Sequence, residues 1–280
     1  MKAHKGFLLT LIAMLAFAAN SLLCRLALKH TTIDPASFTA IRLASGALTL
    51  WLIAGAHMKP RLTAGTWPSA LALFAYAAAF SFAYVTLEAG IGALLLFGAV
   101  QATMIFAGLR AGERLGPWQM AGLALALAGL AYLVSPGLSA PPLFGSALMV
   151  AAGIAWGIYS LRGRGSLDPI ATTAGNFLRA APLGMGLGLA ALPWLQADLP
   201  GIGYAVLSGA LASGAGYAVW YAALPGLSAT RAATVQLSVP AIAAAGGVIL
   251  LEEMITPRLV LATAAILGGI ALVILSRHRP

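Results

Sequence analysis

The residues of this sequence best placed to do chemistry are uncharged polar and aromatic side chains within apolar runs. Asn20 follows Phe17 by three residues and Tyr159 follows Trp156 by three, so on a helix each pair lies on one face. Aromatic rings stack on apolar ligands, while amides and hydroxyls hydrogen-bond polar groups. Such a site would hold a small neutral molecule without any covalent step.

More side chains of the same kind stand on other apolar runs. Tyr76 and Phe80 are four residues apart, and Gln101 and Gln236 occupy equivalent places in the two halves of the chain. Aromatic stripes are also typical of helix packing or of interfacial belts, and helical amides often bond neighbouring helices, so these alternatives stay open. The candidate substrate-binding residues are Phe17, Asn20, Tyr76, Phe80, Gln101, Trp156, Tyr159, Trp220 and Gln236.

Groups that would indicate catalysis, a metal or a cofactor are absent from the apolar runs. No Asp or Glu stands in the middle of a run, and the four histidines lie outside the runs or at their rims. Cys24 is the only cysteine, which excludes an intrachain disulfide. We therefore predict no metal site, no cofactor and no enzymatic activity.

The elements that position these side chains are membrane helices. The chain is 61% hydrophobic and 8% charged, whereas soluble domains carry about 25% charged residues. Runs long enough to cross a bilayer, which must be helical there, predict an all-α integral membrane protein with ten transmembrane helices. The runs are Gly6–Leu28, Pro35–Ala56, Trp67–Leu87, Ile91–Leu109, Pro117–Val134, Leu143–Leu161, Ile170–Leu192, Ile202–Leu224, Thr230–Leu251 and Pro257–Ser276.

The ten runs form two copies of a five-helix unit. Glu113 precedes Pro117 by four residues and Glu253 precedes Pro257 by four, and each proline opens a long apolar run. We place the repeats at residues 1–137 and 138–280. Because five is odd, the second repeat must be inverted, which predicts a substrate site at mid-membrane between the halves. Further matches pair Gly6, Ala13, Ala16, Ser21, Leu22 and Arg25 with Gly145, Ala152, Ala155, Ser160, Leu161 and Arg164.

Basic residues indicate how the helices are oriented. Ten of them fall on one side of the predicted topology, and only Lys29 and Arg258 fall on the other. The positive-inside bias then places both termini in the cytoplasm. Basic residues scattered at the ends of apolar runs suit anionic lipid and do not form a nucleic-acid-binding face. The ten are Lys2, Lys5, Lys59, Arg61, Arg110, Arg114, Arg162, Arg164, Arg277 and Arg279.

The few charges within or beside the runs carry further expectations. Arg42 and Arg179 are repeat equivalents, and we expect a shared structural role such as capping the carbonyl groups of a neighbour. Arg25, near a helix end, can extend to the interface. Because no histidine and no carboxyl group stands in the middle of a run, we predict a facilitator that needs no proton gradient. Glu88 is the one carboxyl group that could overturn this prediction by supplying proton coupling.

Two five-helix halves, each containing a Glu-x-x-x-Pro turn and a Gly-Leu/Ile-Ala-x-x-Val/Ile helix (Gly129–Val134 and Gly269–Ile274), resemble the drug/metabolite transporter superfamily of the EamA type. The resemblance implies a ten-helix exporter of small metabolites in a bacterial inner membrane. The aromatic candidates are similar to what bacterial aromatic amino-acid exporters of that family would use.

Alternative functions stay open at this point. Within the superfamily they are a nucleotide-sugar or phosphorylated-metabolite antiporter and a broad drug or metabolite efflux carrier. Outside it they are an intramembrane enzyme and a receptor or scaffold. A phosphorylated substrate would need several cations at mid-membrane, where only Arg42 and Arg179 are available. The sequence does not determine the oligomeric state, and a monomer is one of the alternatives.

Overall fold

Helices make up the architecture of this protein. The computed structural model describes residues 2–57, 64–137, 139–227 and 229–276, and no strand occurs within those ranges. Lys59, Arg61, Arg277 and Arg279, which the charge argument used, lie outside the described residues, as do the side chains of Lys2 and Lys5. The helices are α1 (Lys2–His30), α2 (Pro35–His57), α3 (Trp67–Tyr84), α4 (Ala89–Arg110), α5 (Pro117–Val134), α6 (Leu143–Arg162), α7 (Pro169–Ala190), α8 (Leu199–Gly226), α9 (Ala229–Gln236 and Ser238–Leu251) and α10 (Pro257–Leu275).

Nine of these helices, counted over the described ranges, are long and apolar enough to cross a membrane. The chain is thus a multi-pass membrane protein. The remaining helix is α7, which has 22 residues but carries Thr172, Thr173, Asn176 and Arg179. The all-helical fold is confirmed, whereas the count of ten crossings stays a prediction that depends on α7.

Helix starts follow the capping residues of the sequence. Asp34 accepts hydrogen bonds from the amides of Ala36 and Ser37, both at 2.9 Å, and Asp168 accepts one from Ala171 at 3.0 Å. A carboxylate there satisfies amides that have no intrahelical partner. The proline after each Asp is the first residue of its helix, where it sacrifices no hydrogen bond. Asp followed by Pro is a sequence signature of a helix start, and α2 and α7 begin as that pattern predicts.

Helix packing follows the repeat. Helix α5 packs on its equivalent α10, and α2 packs on its equivalent α7. The α3–α6 contact has its counterpart in α1–α8, and the α4–α6 contact in α1–α9. Two equivalent halves related by a pseudo-twofold axis would produce this pairing. The two-repeat architecture therefore fits, although no observation tests the boundary at residues 137 and 138.

The Glu-x-x-x-Pro turns have similar but not identical backbone courses, because the Glu amide bonds a carbonyl group five residues back in one half and six residues back in the other. The amide of Glu113 bonds the carbonyl oxygen of Gly108 at 3.0 Å, and the amide of Glu253 bonds that of Gly247 at 3.1 Å. The preceding residue is left-handed in both, with φ of 90° at Gly112 and 55° at Glu252. Glycine adopts that conformation freely, whereas a side chain there is strained.

Candidate functional site

A cavity of about 370 Å³ lies between the two halves. This volume suits a small-molecule site. The cavity reaches the surface at the α6–α7 loop, where the exposed residues Gly163, Arg164 and Gly165 line it. We name this side the Arg164 end. Most of the wall is aromatic or apolar, so the cavity is suited to a substrate with an apolar body.

Trp156 stands at the centre of the aromatic wall. Its ring lies 4.7 Å from Tyr76, 5.2 Å from Tyr159 and 5.4 Å from Tyr217, measured between centroids. The ring of Phe17, its repeat equivalent, lies 5.8 Å from Tyr217 and 6.0 Å from Trp220. Offset and tilted rings of this kind favour stacking with an aromatic or flat apolar ligand.

Irregular stretches of two helices shape the wall. Ser208–Ala215 in the middle of α8 is π-helical and places Ser213 on the cavity. Helix α9 is interrupted at Leu237, because Pro240 has no amide to bond the carbonyl group of Gln236. π-Helical segments and broken helices are frequent at functional sites of this type. A proline inside a helix favours a kink; α9 is interrupted before Pro240, whereas α7 continues through Pro182.

A hydrogen-bond network joins four helices, α1, α2, α3 and α8, at the wall. The Asn20 amide nitrogen donates to the Tyr76 hydroxyl at 3.1 Å, and the Ser208 hydroxyl donates to the Asn20 oxygen at 2.7 Å. Arg42 Nη2 also donates to the Tyr76 hydroxyl, at 3.0 Å. All four residues are less than 9% exposed. Asn20 and Tyr76 therefore present polar atoms to the cavity from fixed positions.

Arg42 and Arg179 differ although they are repeat equivalents. Arg179 donates to the carbonyl oxygens of Ala64 at 2.7 Å and Gly175 at 2.8 Å, which fixes the segment before α3. Its predicted carbonyl-capping role is thus confirmed. No such bond is recorded for Arg42 within the described ranges. Its guanidinium lies over the rings of Tyr76 and Phe80, at 5.1 and 4.7 Å, so the two equivalents have different partners and a shared structural role stays a prediction.

The opposite side of the molecule is closed by an ion pair, and we name it the Glu253 end. Arg25 Nε lies 3.4 Å from Glu253 Oε1, with side chains only 11% and 6% exposed. Glu253 Oε2 also accepts the amide of Ala89, the first residue of α4, at 2.8 Å. Arg25 further donates to the carbonyl oxygens of Tyr84 and Val85. Arg25 does not extend to the interface as expected, because these bonds hold it inside.

Glu88 stands at the same end, half-buried as the N-cap residue of α4. Burial raises its pKa above the ordinary 4.5, and the charge of Glu253 raises it further. Arg25 and Lys29 act in the opposite direction. A carboxyl group in this setting binds a proton more readily than one in water.

The structure brings eight of the nine predicted site residues to the cavity wall, and the ninth, Gln101, is buried in α4 away from it. The sequence did not single out Ser213 and Asn176, which line the cavity, or Ser208, which donates a hydrogen bond to Asn20. Only the density of small residues around Ser208 hinted at close helix approach. Within the described ranges no cluster of potential metal ligands occurs. The eight are Phe17, Asn20, Tyr76, Phe80, Trp156, Tyr159, Trp220 and Gln236.

Comparison with known proteins agrees with this architecture. The EamA-like transporter family matches residues 4–135 and again residues 143–275. The chain belongs to the EamA-like transporter family. The two matches give this EamA-like transporter one family unit in each half, as the repeat of the Glu-x-x-x-Pro turns suggested.

Relatives of this EamA-like transporter include proteins with and without a stated activity. An uncharacterized protein of Pseudomonas aeruginosa is 58% identical over 278 residues, which is 99% of this chain and 97% of the relative. The threonine/homoserine exporter RhtA of Escherichia coli strain K12 is 33% identical over 247 residues, covering 82% of this chain and 79% of its own. A solved crystal structure matches with a TM-score of 0.68 at 20% identity, over 98% of this chain and 99% of the other, which shows the fold alone.

Proposed function

We propose that this transporter exports small neutral amino acids with aromatic or other large apolar side chains, by alternating access and as a facilitator. The observation that carries the proposal is the cavity, which has an aromatic wall with Trp156 at its centre and amide and hydroxyl groups beside it. The exporter activity named for the Escherichia coli relative supports an amino-acid substrate. Threonine and homoserine are smaller and more polar than the aromatic wall would favour.

The two ends of the cavity support alternating access. The cavity reaches the surface at the Arg164 end, and the Arg25–Glu253 pair shuts the Glu253 end. Arg164 and Glu113 are the repeat equivalents of Arg25 and Glu253, and both belong to the Arg164 end. We propose that Arg164 and Glu113 come together when that end closes, while Arg25 and Glu253 separate.

Charge fixes the direction in this proposal. The Arg164 end carries Arg110, Arg114 and Arg162 as well, so it is the cytoplasmic end under the positive-inside bias. The structure would then be open to the cytoplasm, ready to take up substrate for export across the inner membrane. Cysteines at the exposed positions Leu167 and Met254, in a Cys24→Ser background, should react with an impermeant maleimide from opposite sides. Labelling of both from one side would contradict the topology.

Counterflow tests the transport activity. Proteoliposomes are loaded with unlabelled phenylalanine and given labelled phenylalanine outside, with ionophores abolishing the pH gradient and the membrane potential. We expect labelled phenylalanine to enter transiently above its outside concentration. Trp156→Ala should reduce this entry, whereas Trp194→Ala, which alters a 73% exposed residue outside the cavity, should not.

Two outcomes would overturn the proposal. Absence of counterflow for every neutral amino acid would refute the substrate class. Uphill accumulation driven by an imposed proton gradient would refute the facilitator, and its loss in Glu88→Gln would identify Glu88 as the coupling group.

A further inference from the structure

Arg42 is a buried cation with an unsatisfied donor. The residue is only 2% exposed, and its Nη1 has no hydrogen-bond partner among the residues that the structure describes. The two rings of Tyr76 and Phe80 offset part of the lost hydration. A guanidinium inside a membrane protein is costly unless an anion or a full set of acceptors compensates it.

Arg42 has no salt bridge to any carboxyl group among the residues that the structure describes. Glu253, a buried carboxylate, pairs instead with Arg25. The carboxyl groups of the chain are Asp34, Glu88, Glu113, Asp168, Asp198, Glu252 and Glu253, and each stands at a helix end or in a turn. The charge of Arg42 is therefore left for a ligand to balance.

The neighbours of Arg42 also offer donors in excess. The Tyr76 hydroxyl accepts two hydrogen bonds, from Arg42 Nη2 and from Asn20, which uses both its lone pairs and leaves its own hydrogen to donate. Asn20 accepts from Ser208 with its oxygen and has a second amide hydrogen with no recorded acceptor among the described residues. The hydrogens of this cluster that lack an acceptor among the described residues are on Arg42 Nη1, the Tyr76 hydroxyl and the Asn20 amide, so an acceptor with negative charge would satisfy three donors.

This donor cluster adjoins the cavity. Asn20 and Tyr76 are on its wall, and Arg42 lies directly against Tyr76 and Phe80, which are also on the wall. One cation suits a group with a single negative charge, and the aromatic wall suits an apolar body. A phosphate would bring more charge than one arginine balances.

We infer that Asn20 and Tyr76, backed by Arg42, form a subsite for a carboxylate, and that the cavity requires this group of its substrate. Asn20 and Tyr76 donate to the carboxylate oxygens. Arg42 acts through Tyr76 and through its charge, as a positioning residue. The claim that the bound carboxylate is transported rests on the proposed function. The subsite itself concerns ligand recognition and can be tested by binding alone.

The test is equilibrium binding to the purified full-length protein, followed by intrinsic tryptophan fluorescence. Trp156 is in contact with Tyr76, so a ligand at the wall should change its emission. The probes are 3-phenylpropionate and phenylalanine, which carry a carboxylate, and 3-phenylpropanamide and phenylalaninamide, which do not. We expect each acid to bind about 10- to 100-fold more tightly than its amide, as a charge-assisted hydrogen bond would give.

Variants separate recognition from mere folding. Arg42→Met removes the charge but keeps an apolar side chain, and should abolish the acid-over-amide preference by weakening the acids alone. Arg42→Lys should retain the preference, and Tyr76→Phe should reduce it. Arg179→Met is the matched control: it removes the equivalent arginine, whose bonds fix the segment before α3, and should leave the ratio unchanged.

The outcomes are distinguishable from those of the transport assay. Equal binding of acids and amides to the wild type would overturn the inference, as would an unchanged preference in Arg42→Met. A loss of preference in Arg179→Met as large as in Arg42→Met would overturn it too. Tight acid binding without counterflow of any amino acid would refute the proposed function and leave the carboxylate subsite standing.

Discussion

The two ends of this molecule are built from equivalent sequences and differ in structure. At the Glu253 end, Arg25 is buried in an ion pair with Glu253, which also caps α4. At the Arg164 end, the equivalent Arg164 is exposed on the rim of the cavity. One sequence pattern thus supports both a closed and an open arrangement. Under the proposed alternating access, the contacts at each end belong to one of two states.

Breaking the ion pair at the Glu253 end should have the largest effect. Glu253→Gln leaves Arg25 buried without its partner, which costs about 3 kcal/mol in a closed arrangement. The native Cys24, fully buried next to Arg25, reports the opening. We expect maleimide labelling of Cys24 to accelerate on the order of 100-fold.

The equivalent change at the other end is the control for that experiment. Glu113→Gln alters the exposed turn at the Arg164 end, which follows α4, whereas Cys24 is on α1 next to Arg25 of the Glu253 end. Glu113→Gln should not accelerate labelling of Cys24 and should slow it, because the proposed Arg164–Glu113 pair forms only when the Glu253 end opens. Equal acceleration by both variants would mean that the two ends do not differ as described.

A second prediction compares the repeat equivalents Trp156 and Phe17 in the cavity. Trp156 has three ring contacts and Phe17 has two longer ones. Ring pairs contribute about 0.5–1.5 kcal/mol each. A phenylalanine ligand would stack on this aromatic wall, and Trp156 holds more of it together than Phe17 does. Trp156→Ala should therefore weaken phenylalanine binding several-fold more than Phe17→Ala, as measured by calorimetry. Equal effects, or a larger one for Phe17→Ala, would remove Trp156 from the centre of the site.

A smaller effect is expected at the left-handed residue of the two turns. Glu252 has φ of 55° where the other half has Gly112. Glu252→Gly should relieve strain and stabilise the protein by up to about 1 kcal/mol, whereas Gly112→Ala should destabilise it by about 1–2 kcal/mol. Thermal unfolding in detergent measures both changes. A lower melting temperature for Glu252→Gly would show that its side chain makes compensating contacts.

The smallest predicted effect concerns pH at the Glu253 end. Because the folded protein raises the pKa of Glu88 above 4.5, the native state binds a proton more tightly than the unfolded chain. The contribution of protonated Glu88 to stability is therefore present below pH 4.5 and is lost as pH rises through the raised pKa. Glu88→Gln, which mimics the protonated form, should melt higher than the wild type at pH 7 and equally at pH 4. A constant difference across that range would contradict the assignment.

Particular residues show what the sequence could predict. Asp34 and Asp168 followed by proline predicted two helix starts, because capping depends on local geometry alone. Repeat symmetry grouped Phe17 with Trp156, and the cavity places both on its wall. These features depend on spacing within a helix or on a match between halves, which a sequence displays directly.

The repeat symmetry did not predict the contacts of equivalent residues where the two halves diverge. It assigned one role to Arg42 and Arg179, yet their surroundings differ, since Arg42 faces aromatic rings and Arg179 faces carbonyl groups. The ion pair of Arg25 with Glu253 joins residues 228 positions apart, whereas the equivalent Arg164 is exposed on the rim of the cavity. A sequence pattern that is the same at both ends cannot indicate which end is closed.

Distances measured at both ends of one protein test the central account most directly. Spin labels at Thr86 and Met254 span the Glu253 end, and labels at Ala111 and Leu167 span the Arg164 end, all at exposed positions in a Cys24→Ser background. In Glu253→Gln the account predicts that the first distance lengthens while the second shortens. If the first distance lengthens and the second does not change, the ends open independently and alternating access by this fold is contradicted.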